Sequence, residues 1–259
     1  MLSLSYDGSA FCGWQVQPSS PSVQQCLEEA LGKLCRTPVA VTGAGRTDTG
    51  VHAAGYIAHF DLAGSLPFEA SDLCYKLNAI LPRFVVVHGV FPVSDDFHAR
   101  FSATQRSYTY FIHRKKDPFV AAFSWQCGFP DLDFDAMNAA CPYLLGTHDF
   151  SCFEKTGGAN KTSLCTITEA FWEPYTPSLY TVSSSEAEGG VEKSDYWYFR
   201  VSADRFLRNM VRAIVGTLIE VGRGKHGPEW VKELIETGTR GDAGESVPGH
   251  ALFLSKVRY

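Results

Sequence analysis

Apolar side chains recur along this chain first at every second position and then at every third or fourth. The switch occurs in two successive sets, which confines the fold to layered strands and helices. Met1 to Tyr6 alternates apolar with polar residues and runs into Asp7-Gly8, a strand and its turn. Ser22 and Gln25 make a capping box, and Val23, Leu27, Leu31 and Leu34 continue at helical spacing to about Cys35. Val39 to Thr42 and Tyr56 to Phe60 read as strands around a glycine-rich turn, Ala70 to Ile80 as a helix, and Val85 to Phe91 as a strand. The second set opens at Ser107, where Tyr108, Tyr110 and Ile112 alternate in strand fashion. Phe134 to Leu145 reads as a helix, Leu164 to Trp172 and Tyr196 to Ser202 as strands, and Phe206 to Val221 as a long central helix. Ser183 to Asp195, rich in Ser, Glu and Gly, reads as an exposed loop. The fold expected is α+β, with two similar lobes at 1–104 and 105–259, mixed or antiparallel sheets, and a cleft between them.

Composition narrows the function. The 259 residues carry a formal net charge of -5, so the chain does not coat nucleic acid by overall charge, and any phosphate site must be a local concentration of basic residues. Such concentrations occur at Arg100, Arg106, Arg114, Lys115 and Lys116, and again at Arg205, Arg208, Arg212, Arg223 and Lys225. The eight cysteines form no C-x-x-C pair and no Cys/His grouping at zinc spacing, so they read as reduced thiols and no metal is expected. With no apolar segment of a signal peptide or a membrane span, the expected location is the cytoplasm.

The segment with the most chemistry is Gly43-Ala44-Gly45-Arg46-Thr47-Asp48-Thr49-Gly50-Val51-His52. Glycines let backbone approach a ligand, yet spacing alone fits equally an ordinary turn in which Asp48 caps an amide and Arg46 is solvated. The segment has neither the phosphate-loop nor the dinucleotide-binding glycine pattern. Arg205, Arg208 and Arg212, three and four residues apart, fall on one stripe of the expected Phe206 to Val221 helix, either as a solvated basic face or as phosphate contacts. Tyr108, on a strand, suits core packing as well as a binding role.

Gly45-Arg46-Thr47-Asp48-x-Gly50-Val51-His52 resembles the signature of the TruA family of tRNA pseudouridine synthases. Tyr6-Asp7-Gly8 with Gly13-Trp14-Gln15 is similar to that family's opening strand and turn. Asp96-Phe97-His98-Ala99-Arg100-Phe101-Ser102-Ala103 with Tyr108-x-Tyr110 is similar to its central block, and Arg208-Asn209-Met210-Val211-Arg212 through Gly224 to its C-terminal helix. The resemblance implies the pseudouridine synthase fold, whose two lobes flank a positively charged central cleft. It implies isomerisation of uridine in the tRNA anticodon stem-loop, at the positions conventionally numbered 38, 39 and 40, without metal or organic cofactor and as a homodimer.

The resemblance also implies roles. Asp48 is the nucleophile, Arg212 the cation paired with it, Tyr108 the ring that stacks on the base, and Arg46 a holder of the flipped nucleotide. The residue type suits the chemistry: breaking an N-glycosidic bond calls for an ionised carboxylate, and because no water is admitted one carboxylate suffices where glycosidases use two. Unstacking a uridine paired in a stem costs roughly a few kcal/mol, which arginine contacts to phosphate help offset. His52, His98 and His148 read as scaffold. Thr49 replaces a common alanine, and Leu81-Pro82-Arg83-Phe84 lacks a common acidic residue; neither touches the proposed chemistry. Competing readings are a non-catalytic RNA-binding relative and a pseudouridine synthase acting on another RNA. A methyltransferase has no donor site here, and a zinc deaminase would need H-x-E with P-C-x-x-C, which is absent.

Overall fold

A computed structural model describes residues 1–155, 157, 162–181 and 194–259. The expected loop at Ser183 to Asp195 lies outside the described residues except for its last two. The chain divides into two units: Met1–Ser107 with Phe253–Tyr259, and Tyr108–Leu252.

The first unit holds strands β1 (Leu2–Tyr6), β2 (Val41–Gly43), β3 (His52–Phe60) and β4 (Val85–Val90), with helices α1 (Val23–Cys35) and α2 (Ala70–Ile80). β1 runs antiparallel to both β3 and β4, and β2 pairs antiparallel with the far end of β3, Val41 opposite Phe60. Leu2, Leu4 and Tyr6 are buried on alternate positions of β1, and Val23, Leu27, Ala30 and Leu31 form the buried stripe of α1. Ser22 caps α1 by accepting the Gln25 N–H at 3.2 Å. The Gln25 side chain reaches forward to Glu29 and not back to the cap, so only half of the expected capping box forms.

One strand of this unit comes from the far end of the chain. Phe253 and Leu254 of β10 (Leu252–Arg258) pair in parallel with His52 and Ala53 of β3. The sequence reading had assigned these residues to the second lobe. Gly55 permits the approach, because a Cβ there would stand 2.5 Å from the Ser255 carbonyl oxygen.

The second unit contains most of β5 (Gln105–His113), then β6 (Trp125–Gln126), β7 (Gly146–Asp149), β8 (Leu164–Pro174) and β9 (Tyr196–Ala203). Its strand order is β5-β9-β8-β7, with β6 parallel to β5 and β8 antiparallel to both neighbours. The helices are α3 (Phe134–Ala140), α4 (Ser178–Thr181), α5 (Met210–Gly222) and α6 (Trp230–Thr237). The helix expected over Phe134 to Leu145 is α only to Ala140 and continues as a tighter turn at Cys141–Leu144, where Pro142 cannot supply an amide. Eleven of the thirteen residues of α5 are buried, leaving Arg212 and Glu220 as its half-exposed members. A helix apolar nearly all round is a core helix, and α3 and α6 pack against it.

Among the described residues, no helix is long and apolar enough to cross a membrane, and no group of His, Cys, Asp and Glu is arranged to hold a metal ion. The eight cysteines are all free thiols. Burial pushes those of Cys141, Cys152 and Cys165 up to about 12.

Candidate active-site loop and its arginine strap

Asp48 lies in the loop between β2 and β3, half-buried, with Arg46 exposed two residues earlier. The residue between the aspartate and the arginine is the anchor. Thr47 is buried; its hydroxyl is hydrogen-bonded to the Tyr6 hydroxyl at 2.8 Å, and its carbonyl accepts the Trp14 N–H at 3.2 Å. Gly13, at φ 93°, passes so close that a Cβ would meet the Thr47 carbonyl oxygen at 2.4 Å. Behind the loop, Trp14 stacks on Tyr56 at 4.2 Å, and the Tyr56 hydroxyl donates to the Gly45 carbonyl. The loop closes as a turn, with the Val51 N–H on the Asp48 carbonyl at 3.1 Å and Gly50 at φ 76°. The loop is a turn with Arg46 exposed, and two of its residues before Asp48, Gly45 and Thr47, are fixed by Tyr56, Tyr6 and Trp14.

His52 is scaffold. It is fully buried, stacks on Phe253 at 4.6 Å, and its Nδ1 accepts the Gly8 N–H at 3.0 Å. Asp7 Oδ1 is 3.1 Å from the same nitrogen. A nitrogen that accepts from a fixed backbone N–H carries no proton to share with the carboxylate, so this contact is adjacency and not an ion pair.

Arg106 belongs to the first basic concentration of the sequence. It acts as a clamp: Nη1 donates to the Ala103 carbonyl at 3.0 Å, and Nη2 donates both to the Ala44 carbonyl at 3.0 Å and to the Arg100 carbonyl. The guanidinium thus ties the central block to the start of the Asp48 loop. Several other residues of the two basic concentrations also have partners within the protein. Arg114 donates to the Phe129 and Pro130 carbonyls, Lys115 pairs with Asp195 at 2.8 Å, and Arg223 and Lys225 both engage Glu220, at 2.7 and 2.6 Å. Burial alone would raise the Glu220 pKa, but the bonds from Lys225 and Arg223 outweigh it and hold the carboxyl below its ordinary value.

In the second unit, Arg212 sits in the first turn of α5. A cation there opposes the helix dipole by about 0.3–1 kcal/mol, so its retention calls for a specific partner. One partner is the strap Gly244–Pro248: Arg212 Nε donates to the Val247 carbonyl at 2.7 Å, and the Val247 N–H returns to the Arg212 carbonyl at 3.3 Å. The next carbonyl, that of Pro248, accepts the Tyr110 hydroxyl at 3.0 Å. Tyr110 and Arg212 therefore grip consecutive carbonyls. Burial drives the Tyr110 phenol well above its ordinary pKa, opposed by the Arg212 charge. Tyr108 lies on the same face of β5 as Tyr110, half-buried, with its ring edge-on to Phe206 at 5.1 Å.

The strap can lie on α5 because two glycines meet. A Cβ on Gly216 would stand 1.8 Å from the Glu245 carbonyl oxygen, and one on Gly244 would stand 2.6 Å from Gly216 backbone. Thr217 accepts the Gly244 N–H at 2.9 Å, and Arg240 holds the Gly244 carbonyl and the Ser246 hydroxyl at 3.0 and 2.8 Å. Sequence reading missed this strap. Its signal was the turn-rich run Gly241-Asp242-Ala243-Gly244 and Pro248-Gly249.

Arg205 and Arg208 do not share a helical stripe with Arg212, because α5 begins at Met210. Asn209 takes a left-handed conformation, φ 64°, with its side chain on Ser246, and that stops the helix from extending back to Phe206. Arg205 is half-buried and donates to the Thr162 carbonyl at 3.1 Å, whereas Arg208 is exposed.

Comparison with known proteins bears on these residues. The family model described as tRNA pseudouridine synthase matches residues 3–102 and 140–259, which include the Asp48 loop, α5 and the strap. A protein of Parabacteroides distasonis named tRNA pseudouridine synthase A is 47% identical, with 99% of this chain and 94% of that protein covered. One of the same name from Porphyromonas gingivalis is 44% identical, with 99% and 95% covered. A Clostridium perfringens protein named tRNA pseudouridine synthase A 2 is 40% identical, covering 100% of this chain and 98% of the other.

Proposed function

Because this chain belongs to the tRNA pseudouridine synthase family, we propose that it isomerises uridine to pseudouridine in the tRNA anticodon stem-loop, at the uridines conventionally numbered 38, 39 and 40, with Asp48 as the nucleophile. The observation that carries this reading is the presentation of Asp48: a half-exposed carboxylate on a loop whose flanking residues are locked by Tyr6, Trp14 and Tyr56. Preorganisation of this kind leaves a nucleophile little freedom to lose when substrate arrives.

The reaction breaks the bond from C1′ to N1 of uracil and makes one from C1′ to C5; the proton of C5 is lost to solvent, and N1 takes up a proton in its place. No water enters, so a single carboxylate in a closed site is sufficient. Arg46, exposed beside Asp48, is positioned to take a phosphate of the displaced nucleotide. Tyr108 is the base-stacking ring and Arg212 a substrate-binding cation, held at its guanidinium by the strap. Arg205 and Arg208 contact tRNA phosphates. The enzyme works in the cytoplasm as a homodimer, with no metal or organic cofactor.

The test is tritium release from C5-labelled uridine in unmodified tRNA, with no added cofactor. Wild type releases tritium, while Asp48→Asn binds the same tRNA and releases none. Release by Asp48→Asn at the wild-type rate would remove Asp48 from the mechanism.

A further inference from the structure

Phe101 has 76% of its surface exposed on the turn of the central block, and the turn that carries it is fixed. His98 Nδ1 accepts the N–H groups of Arg100 and Phe101 at 3.1 and 3.2 Å, and the His98 carbonyl accepts the Ser102 N–H at 2.9 Å. Ala99 is held from both sides, its N–H on His59 Nδ1 at 3.1 Å and its carbonyl on the Tyr259 hydroxyl at 2.7 Å. The His98 ring lies against the Phe101 ring with centroids 4.3 Å apart and planes at 30°, and the Arg100 guanidinium stands 5.6 Å from the ring centre. The ring is thus steadied by His98 and Arg100 while most of its surface stays open to solvent.

The turn also adjoins the Asp48 loop. A single nitrogen of Arg106 bonds the carbonyls of both Arg100 and Ala44, and Ala44 precedes Asp48 by only four residues, at most about 14 Å of extended chain. With the two hydrogen bonds and the Phe101 side chain added, the ring lies within roughly 30 Å of Asp48, and since stacked nucleotides rise about 3.4 Å each this is within about nine nucleotides, the span of one stem-loop.

We infer that Phe101 is a stacking platform for an unpaired base of the tRNA stem-loop near the target uridine, with Arg100 beside it on the phosphate backbone. The inference rests on the RNA-modifying function proposed above. An exposed aromatic ring with an adjacent arginine is the arrangement that single-stranded nucleic acid uses, since every base has a face to stack. A protein partner would call for a contiguous apolar patch, and on this turn Arg100, Ser102 and Thr104 are exposed polar neighbours.

The test compares wild type with Phe101→Ala, Phe101→Leu and Phe101→Trp, using an anticodon stem-loop RNA for binding and tritium release for turnover. Loss of one stacked base corresponds to roughly 5- to 160-fold weaker binding. Phe101→Ala and Phe101→Leu raise Kd and KM by that factor, and the slope of log Kd against log salt keeps its wild-type value. Phe101→Trp retains wild-type affinity. Wild-type affinity in Phe101→Leu would overturn the inference, because leucine keeps apolar bulk without a face to stack on, and so would a change in sedimentation with no change in RNA binding. Leucine is also the variant that keeps the turn folded should alanine loosen it. If wild type itself neither binds the RNA nor releases tritium, the underlying function fails; if wild type does both and the variants match it, only the role of Phe101 fails.

Discussion

Thr47 ties the Asp48 loop to two other segments of the first unit. Its hydroxyl meets Tyr6 on β1, its carbonyl meets Trp14, and the close pass of Gly13 leaves the loop no room to slide. Thr47→Val keeps the shape and removes the buried hydrogen bond, a loss of about 1 kcal/mol in stability by urea denaturation. The same change lowers kcat by at least tenfold, since the carboxylate next door loses its fixed position. A stability loss with kcat unchanged would mean that Asp48 is held some other way. Arg46, by contrast, is exposed to solvent two residues before Asp48.

At the scale of elements, the docking of the strap on α5 depends on the absence of side chains at Gly216 and Gly244. Gly216→Ala drives a Cβ into the Glu245 carbonyl, and the strap must lift. Overpacking of this kind costs about 1–3 kcal/mol and lowers the melting temperature by roughly 2–10 °C in a chain of this size. Activity falls as well, because Arg212 is bonded to Val247 through its Nε and its carbonyl; a melting temperature equal to wild type would show that the helix and strap have slack. Elements whose causes are local were legible in the sequence. α1 has its cap at Ser22 and its apolar stripe within thirteen residues, and α2 spans Ala70–Ile80 as the periodicity predicts. The start of α5 was not legible, since Phe206 and Leu207 keep helical spacing while the left-handed turn at Asn209 is held by Ser246, thirty-seven residues away. β7, α6 and β10 were not read either, β10 because its partner is β3 near the other end of the chain. Asp48 stands out in the sequence through residue type and resemblance, whereas the clamp formed by Arg106 depends on three carbonyls that no spacing rule brings together.

At the scale of the whole molecule, each unit contains a buried histidine kept neutral. Burial lowers the pKa of His59 in the first unit, with the neighbouring His98 adding to the effect, and burial likewise lowers that of His113 in the second, partly countered by Asp117. An imidazole whose folded pKa lies below its unfolded value, about 6.5, takes up protons more readily when unfolded. Stability is therefore flat above about pH 7 and falls as the pH drops from about 6.5 toward the folded values, by at most about 1.4 kcal/mol per pH unit for each histidine. The urea midpoint measured from pH 8 to pH 5 should show this bend, and His59→Gln and His113→Gln should each remove part of it; a midpoint that does not change over that range would refute it. Both units thus become acid-sensitive over one pH interval. The parallel strand β10 sets a clock on synthesis. On the ribosome, the Asp48 unit stays one strand short while Tyr108–Leu252 is translated, roughly 7 to 30 s at about 5–20 residues per second. The nascent chain carries Asp48 through that interval on a sheet not yet finished, and the strand beside His52 and Ala53 arrives only with β10.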